Sequence, residues 1–345
     1  MSTANLDSAD LKSVLRGGLI REDVMNKIWD ISKIPLPFTD MIGSTTTSNE
    51  YKEWTTDELA APDTTNAVVD GSDASGNDTK TGARVGNHCQ ISDKVVRVSY
   101  RADASDTIGR AKELAYQLMR RQQELRRDVE AIALLNQASV QDNGDAIAGK
   151  VGGLPSWLET SHTNGTAGGY DTATGLTVAR TPGVRTALTE ANVRDTVESI
   201  YQEGGDPTIM MSIPAVIRKF SEYLFTSSAR VATLMSDQGK SKEQAAALGS
   251  VNVFVTDFGT LKMVPNRLQQ TYLDSGAVNM AADVFILDPE YLELCYLHGY
   301  RTDSLAKTGL AENRQMCVDW TLIVNTEKAH GIIGDVDYTA AVTAS

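Results

Sequence analysis

Cysteine is scarce in this chain of 345 residues, and its scarcity argues against two kinds of stabilisation. The three cysteines, Cys89, Cys295 and Cys317, are odd in number, lie far apart and form no CxxC pair. A disulfide scaffold normally needs an even set of cysteines, and a zinc knuckle needs closely spaced ligand pairs. The sequence therefore predicts a protein of a reducing compartment, without a disulfide framework.

Long apolar runs and an excess of positive charge are also missing. No run approaches the roughly 18 to 20 apolar residues that span a bilayer, and the first ten residues, MSTANLDSAD, lack the apolar stretch of a signal peptide. The 45 Asp and Glu residues exceed the 32 Lys and Arg residues, which gives a net charge of −13. Because this charge repels free nucleic acid, we expect no general DNA binding, no membrane insertion and no secretion by a signal peptide.

Catalytic motifs are incomplete wherever they begin to appear. The triplet Asp257-Phe258-Gly259 has the letters of the magnesium-binding triplet of kinases, but no glycine-rich ATP loop, strand lysine or HRD loop precedes it. Alternating apolar residues on both sides predict instead a hairpin that turns at this triplet. Residues 144–150, GDAIAGK, resemble a phosphate loop, yet Val151 stands where that loop needs Ser or Thr. A flexible loop is the better prediction there.

Nucleophile motifs and histidine-based metal motifs are also missing. There is no GxSxG nucleophile motif, and the four histidines have unrelated settings. His88 adjoins Cys89 and His298 follows Cys295 by three residues, but two half-pairs far apart in sequence do not specify a metal site. We therefore predict no catalytic residue, no cofactor and no metal, and a protein that is not an enzyme.

Helical periodicity is strongest in residues 103–136, where apolar residues recur every three or four positions without proline. At about 1.5 Å per residue this helix would be about 50 Å long. Residues 189–203 and 214–225 predict two more helices, and residues 90–100 alternate as in a strand. From Val251 onward strands dominate. Helices followed by a strand-rich end predict an α+β fold.

A polar stretch from Thr45 to Ala83 contains few large apolar residues. It cannot build its own core, so it predicts a long loop, and such loops are usually functional or disordered. Trp54 is the exception, because an exposed indole is unfavourable in water. Either the chain's own body or a neighbouring subunit could cover this indole, and the neighbouring subunit is slightly favoured.

Seven strings follow one another along the chain. They are EYKEWTTDEL (50–59), RVGNHCQI (84–91), ELRRDVE (124–130), GGLPSWL (152–158), ALTEANVRDTVESIYQEGGDP (187–207), VTDFGTLKMVPNR (255–267) and LAKTGLAENRQMCVDWTLIVNTEKAHGII (305–333). Each string alone is a weak signal, but in this order, over about residues 20–335, they resemble the major capsid proteins of tailed bacteriophages, whose Hong Kong 97-type fold is shared by encapsulins and herpesvirus shells.

The resemblance implies an α+β capsid fold with a defined division of the chain. Its expected parts are an N-terminal arm (1–50), an extended loop (51–100), a peripheral domain (101–186) with spine helix 103–136, an axial domain (187–300), and a return to the peripheral domain with the C-terminal tail (301–345). The lysine–asparagine crosslink of the fold's type member is not carried over, since no motif marks such a pair. Candidates for contacts between subunits are Glu53, Trp54, Lys80, Arg84, Phe258 and Trp320.

The implied function is that of a major capsid protein, which self-assembles through pentamers and hexamers into the icosahedral shell of a tailed double-stranded DNA phage. Expected partners are further copies of the chain, a portal, scaffolding or decoration proteins, and packaged DNA held without sequence-specific contacts. The expected location is the virion, after assembly in the host cytoplasm. One alternative is an encapsulin-type compartment, for which residues 11–33 could help form a cargo groove. A cytosolic enzyme is a third, improbable without a catalytic constellation.

Overall fold

The computed structural model describes residues 35–73, 76, 82–105, 110–226, 253–271, 281–307 and 309–339, with the backbone alone for residues 222–226. Within these residues the chain forms two larger sheets, two short ribbons and four α-helices. The strands are β1 (Gly43–Thr46), β2 (Tyr51–Thr56), β3 (Ala83–His88), β4 (Gln90–Ser99), β5 (Ser161–Thr163), β6 (Gly169–Asp171), β7 (Leu176–Val178), β8 (Ile209–Ser212), β9 (Val253–Val255), β10 (Thr260–Pro265), β11 (Ala281–Leu287), β12 (Leu292–Ser304), β13 (Ala311–Val324) and β14 (Gly331–Asp337). The helices are α1 (Tyr100–Ala104), α2 (Glu113–Ala133), α3 (Glu190–Gln202) and α4 (Pro214–Thr226), and 3-10 turns occur at Leu154–Ser156, Pro289–Tyr291 and Glu327–Ala329.

The four-stranded sheet has the order β1-β12-β13-β4. Strands β12 and β13 form a long antiparallel hairpin, β4 pairs antiparallel with β13, and β1 pairs parallel with β12. Helix α2 packs on this sheet through Leu125, Val129 and Ala133, which are fully buried. An ion pair of 2.7 Å between Lys94 Nζ and Asp128 Oδ2 also joins β4 to the helix. One face of the helix thus covers the long hairpin.

The six-stranded sheet has the order β5-β14-β11-β8-β10-β9. Its strand β11 is buried along its whole length, as expected for a strand covered on both faces. Side chains on alternate positions point to opposite faces. Met211 and Phe285 therefore join the same core as α2, whereas Met210 and Ile286 join a second core under α3 and α4. This sheet separates the two hydrophobic cores.

Several local predictions are confirmed. Helix α3 begins after Thr189, whose Oγ1 accepts the Asn192 N–H at 3.2 Å, and its C-cap is Glu203. Gly204 follows with φ +96°, a backbone conformation that favours glycine. Helix α4 begins at Pro214, an early position where proline is tolerated. The strand predicted at residues 90–100 is β4.

The predicted spine helix is shorter than its sequence pattern indicated. Helix α1 ends before Ser105, which is extended, and α2 starts only after the extended residue Lys112. The carboxylate of Asp103 accepts the Leu114 N–H at 3.1 Å, so a polar side chain caps α2 from outside. At about 1.5 Å per residue, the 21 residues of α2 span about 30 Å instead of about 50 Å. The predicted continuous helix 103–136 was wrong at both ends.

The expected divisions of the chain do not coincide with the two larger sheets. Residue 300 lies inside β12, which belongs to the four-stranded sheet. Strand β14, from the segment expected to return to the peripheral domain, lies in the six-stranded sheet beside β11. Each sheet therefore combines segments that are distant in sequence, so a division of the chain into consecutive segments does not describe the sheets.

Candidate subunit interface

The predicted extended loop is a two-stranded ribbon with a long excursion at its end. Strands β2 and β3 pair antiparallel, with Trp54 opposite Val85 and Glu53 opposite Gly86. The chain leaves the ribbon after Thr56 and returns to it at Ala83. Because a two-stranded ribbon alone is marginally stable in water, its base needs contacts with the rest of the molecule.

Aromatic stacking fixes that base. The Trp54 ring lies 5.3 Å from the Trp157 ring, and Trp157 stacks on Tyr170 at 5.7 Å with the ring planes only 6° apart. Such offset stacks contribute about 0.5–1.5 kcal/mol beyond burial. The chain's own body therefore covers one side of Trp54. The side chain is only partly buried, and its contact with a neighbouring subunit stays a prediction.

Tyr51 adds a polar anchor beside this stack. Its hydroxyl lies 2.9 Å from the Tyr170 hydroxyl and donates to the Gly175 carbonyl at 2.9 Å. Burial, followed by the hydrogen bond with Tyr170, raises the pKa of Tyr51. The phenol is therefore protonated at neutral pH and keeps its hydrogen-bond donor.

Glu53 and Arg84 lie on the outer surface of the ribbon. Arg84 Nη1 is 3.5 Å from Glu53 Oε2, and both side chains are well exposed. An exposed pair of this kind contributes at most about 1 kcal/mol. Both residues are therefore accessible to another molecule, as an interface role would require, and whether they contact one remains a prediction.

The excursion carries exposed apolar groups. Leu59, Val68 and Val69 are 95%, 85% and 79% exposed. Residues 57–73 also contain five acidic side chains and no Lys or Arg. Lys80, the remaining candidate of the loop, lies outside the described residues. Exposed aliphatic groups on a segment without a core are typical of a surface that is covered by a partner.

Lys328 ties the start of the excursion to the body. Its Nζ lies 2.9 Å from a carboxylate oxygen of Glu58 and 2.9 Å from one of Glu203, at the C-terminal end of α3. The hydrogen bonds with Glu203 and Glu58 raise the pKa of Lys328. One ammonium group therefore connects the loop, α3 and the 3-10 turn Glu327–Ala329.

A groove of about 630 Å³ lies between the ribbon and the body. Its apolar lining includes Val85, Trp157, Tyr170, Tyr291 and Val324. Its polar lining contains five carboxylates, those of Asp57, Glu58, Glu159, Glu203 and Glu327, against the one ammonium group of Lys328. The groove is thus apolar at its wall and negatively charged at its rim.

The Asp257-Phe258-Gly259 triplet turns a hairpin, as predicted. Strands β9 and β10 pair antiparallel, and the Thr256 N–H donates to the Gly259 carbonyl at 2.8 Å. Phe258 is 38% exposed and stacks on the exposed Tyr201 with ring centroids 5.0 Å apart. Its position on the surface is compatible with an interface role, which stays a prediction.

Trp320 corrects the interface prediction. Its side chain is fully buried in the core under α2, and its Nε1–H donates to Ser92 Oγ at 3.3 Å. A residue at this position cannot contact another subunit while the fold is intact. The large aromatic side chain of Trp320 packs in the core instead.

The remaining candidate motifs have structural explanations. Residues 144–150 form an exposed loop, in which the side-chain oxygen of Asn143 accepts the backbone N–H groups of Asp145, Ala146 and Ile147. Within the described part of the chain, no group of three or more His, Cys, Asp or Glu side chains is placed to hold a metal ion. The helices described there include none with the length and apolar character needed to cross a membrane.

The sequence did not reveal which residues of the body contact the ribbon and the loop. Trp157, Tyr170 and Lys328 lie about 100 to 270 residues from their partners on the ribbon and loop. The string GGLPSWL contained a signal for Trp157, since the large apolar surface of a tryptophan favours a packed position. No local signal pairs Lys328 with Glu58.

Solved structures that are similar to this chain include a phage-like capsid and an encapsulin. The chain is similar to the capsid of the native GTA particle, with 12% identity and a TM-score of 0.58, covering 96% of this chain and 100% of that one. It is also similar to the SrpI encapsulin from Synechococcus elongatus PCC 7942, with 13% identity and a TM-score of 0.55, covering 99% and 100%. At these identities the likeness establishes the fold. The predicted Hong Kong 97-type α+β fold is confirmed.

The family follows from the sequence match. Residues 3–337 match the model of the SU10 major capsid protein family, and the chain belongs to that family. It is 30% identical over 226 residues to the major capsid protein of Escherichia phage Phieco32. That alignment covers 57% of this chain and 64% of the relative, so the chain spans just under two thirds of the relative's length.

Proposed function

We propose that this chain self-assembles through pentamers and hexamers into the icosahedral shell that encloses the genome of a tailed double-stranded DNA phage. Membership of the SU10 major capsid protein family supports the shell function. The observation that carries the assembly mechanism is the exposure of Leu59, Val68 and Val69 on one acidic excursion. Burying these three side chains on neighbouring copies would stabilise each contact by several kcal/mol, at about 25 cal/mol per Å² of apolar surface.

In this proposal the parts of the chain have separate roles. The ribbon β2–β3 with residues 57–82 reaches across an adjacent subunit, and α2 with the four-stranded sheet forms the peripheral domain. The region of α3, α4 and the β9–β10 hairpin forms the axial domain around the capsomer axis. Many weak, repeated contacts of this kind close into a shell under point-group symmetry.

The proposed partners follow from the shell function. They are further copies of the chain, a portal, scaffolding or decoration proteins, and the packaged DNA. The net charge of −13 supports DNA contacts that are loose and independent of base sequence, because a strongly basic wall would bind phosphates tightly. Assembly would take place in the host cytoplasm, and the chain would have no enzymatic role.

The test is a triple substitution on the excursion, Leu59→Ser with Val68→Ser and Val69→Ser. The matched control changes three exposed residues of the same loop that offer little apolar surface, Thr64→Ser with Asn66→Ser and Ala67→Ser. Each variant is expressed with its genomic neighbours, and assembly is measured by light scattering and negative-stain microscopy.

We expect shells or capsomer rings from the parent and the control chains, and at least tenfold fewer from the triple variant. Circular dichroism should be the same for all three, since the substituted side chains are exposed. A parent chain that stays monomeric under all conditions would refute shell formation. Shells that package a protein cargo instead of DNA would favour the encapsulin-type compartment.

A further inference from the structure

The lining of the groove between the ribbon and the body indicates what kind of segment could bind there. Its wall is apolar and aromatic, and its rim holds five carboxylates against one ammonium group, which leaves four more negative than positive charges. Glu58 and Glu203 already pair with Lys328, whereas Asp57 and Glu159 have no cation among the ion pairs of the described residues. A segment that fits this groove should combine aliphatic side chains with positive charge.

One segment of the chain has that composition. Residues 11–21, LKSVLRGGLIR, contain three cations, Lys12, Arg16 and Arg21, and no carboxylate. Five aliphatic residues, Leu11, Val14, Leu15, Leu19 and Ile20, alternate with these cations. The segment lies outside the described residues, so its position is open to experiment.

The described chain begins close enough for this segment to reach the groove. Phe38, near that beginning, belongs to the same continuous core as Trp157 of the groove wall. Thirteen residues lie between Arg21 and Pro35, and the fourteen steps from one to the other cover about 46–50 Å in an extended chain. A compact chain of 345 residues has a radius of gyration of about 20 Å, so a segment of this length can reach from the core around Phe38 to the groove of its own chain.

We propose that residues 11–21 dock into the groove of the same chain, with the aliphatic side chains against Trp157 and Tyr170 and the cations at the acidic rim. This docking concerns a single chain and does not depend on shell formation. It would fill the space beside the ribbon base and so hold the ribbon at a defined angle to the body.

The experiment uses the full chain with Leu15 replaced by the photocrosslinker p-benzoylphenylalanine. After irradiation, mass spectrometry maps the crosslinked peptides. Irradiating an equal mixture with ¹⁵N-labelled chains of the same variant distinguishes crosslinks within one chain from crosslinks between chains. We expect crosslinks within one chain to peptides that contain Val85, Trp157 or residues 324–329.

Charge provides a second readout. Asp57→Asn with Glu159→Gln should lower the yield of these crosslinks at least threefold. Asp63→Asn with Asp145→Asn, two exposed carboxylates that do not line the groove, should leave it unchanged. In 1 M salt the yield should also fall, because the Debye length drops to about 3 Å. Crosslinks to other surfaces, crosslinks between labelled and unlabelled chains, or yields insensitive to both charge and salt would overturn the proposal.

Discussion

His330, beside the groove residue Ala329, is fully buried, and its Nδ1 accepts the Asp288 N–H at 3.2 Å. Burial lowers the pKa of His330 from 6.5 to about 3. Between these values the unfolded chain binds a proton that the folded chain does not bind. The stability that His330 contributes is therefore complete above pH 6.5 and is lost as the pH falls.

We predict that the free energy of unfolding falls by about 1.4 kcal/mol between pH 7.5 and 5.5 because of this one residue. The variant His330→Asn keeps a side-chain acceptor and should lose that pH dependence, although its stability at pH 7.5 is lower. Urea denaturation of unassembled chains at both pH values measures the difference. Equal pH dependence in parent and variant would contradict the prediction.

The cysteines should differ in reactivity. Burial raises the pKa of the Cys89 thiol to about 12, and Cys295 is fully buried. Cys317 is only half-buried and accepts the Arg301 Nε–H at 3.2 Å. Because the exposed thiolate is the reactive form, we predict that N-ethylmaleimide modifies Cys317 at least tenfold faster than the other two cysteines. Peptide mass spectrometry over time checks this order, and full modification in urea is the control.

At the scale of elements, Glu130 of α2 joins three segments that are distant in sequence. Its buried carboxylate accepts the Phe38 N–H at 2.9 Å, the Thr39 N–H at 2.7 Å and the Asn266 Nδ2–H at 2.7 Å. The helix thereby holds both the beginning of the described chain and the segment after β10. One carboxylate therefore links α2 to two segments that are distant in sequence.

We predict that Glu130→Ala destabilises the chain by roughly 2–4 kcal/mol, because it leaves three donors without their acceptor. Glu130→Gln retains one acceptor oxygen and should cost less. Glu124→Ala, on the same helix, removes a partly exposed pair with Arg121 and should cost less than about 1 kcal/mol. Urea midpoints of the three variants test this ranking, and an equal loss for Glu130→Ala and Glu124→Ala would refute it.

At the scale of the whole molecule, the proposed shell function predicts that stability depends on assembly. Residues 57–73 have no core of their own, and their exposed aliphatic groups are buried only when copies meet in the proposed shell. Anything that binds the folded form alone raises its apparent stability. The shell should therefore be more stable than its subunits.

We predict that assembled shells melt at a higher temperature than unassembled chains, by at least about 5 °C, and that Leu59→Ser with Val68→Ser and Val69→Ser abolishes this difference. The Tm of the unassembled chain should not change, since these side chains are exposed there. Differential scanning calorimetry on both forms provides the comparison. A triple variant that melts earlier even as a monomer would show that the residues support the subunit itself.

Local patterns in the sequence determined the helices after Thr189 and at Pro214, strand β4 and the hairpin turn at Phe258. These features depend on capping residues, on proline and on the alternation of apolar and polar residues. All of these signals lie within a few positions of the element that they determine. The ordered strings in the chain were also enough to predict the capsid fold.

Tertiary structure decided which side chains meet. It placed Trp54 on Trp157, buried Trp320 under α2, and brought Lys328 to Glu58, 270 residues away. It also placed the start of α2 at Glu113, where the Asp103 carboxylate accepts the Leu114 N–H. An aromatic or charged residue can face the core, another part of its own chain or a partner, depending on which distant segments pack together. The periodicity of a sequence describes only neighbouring positions, so it does not show which distant segments make contact.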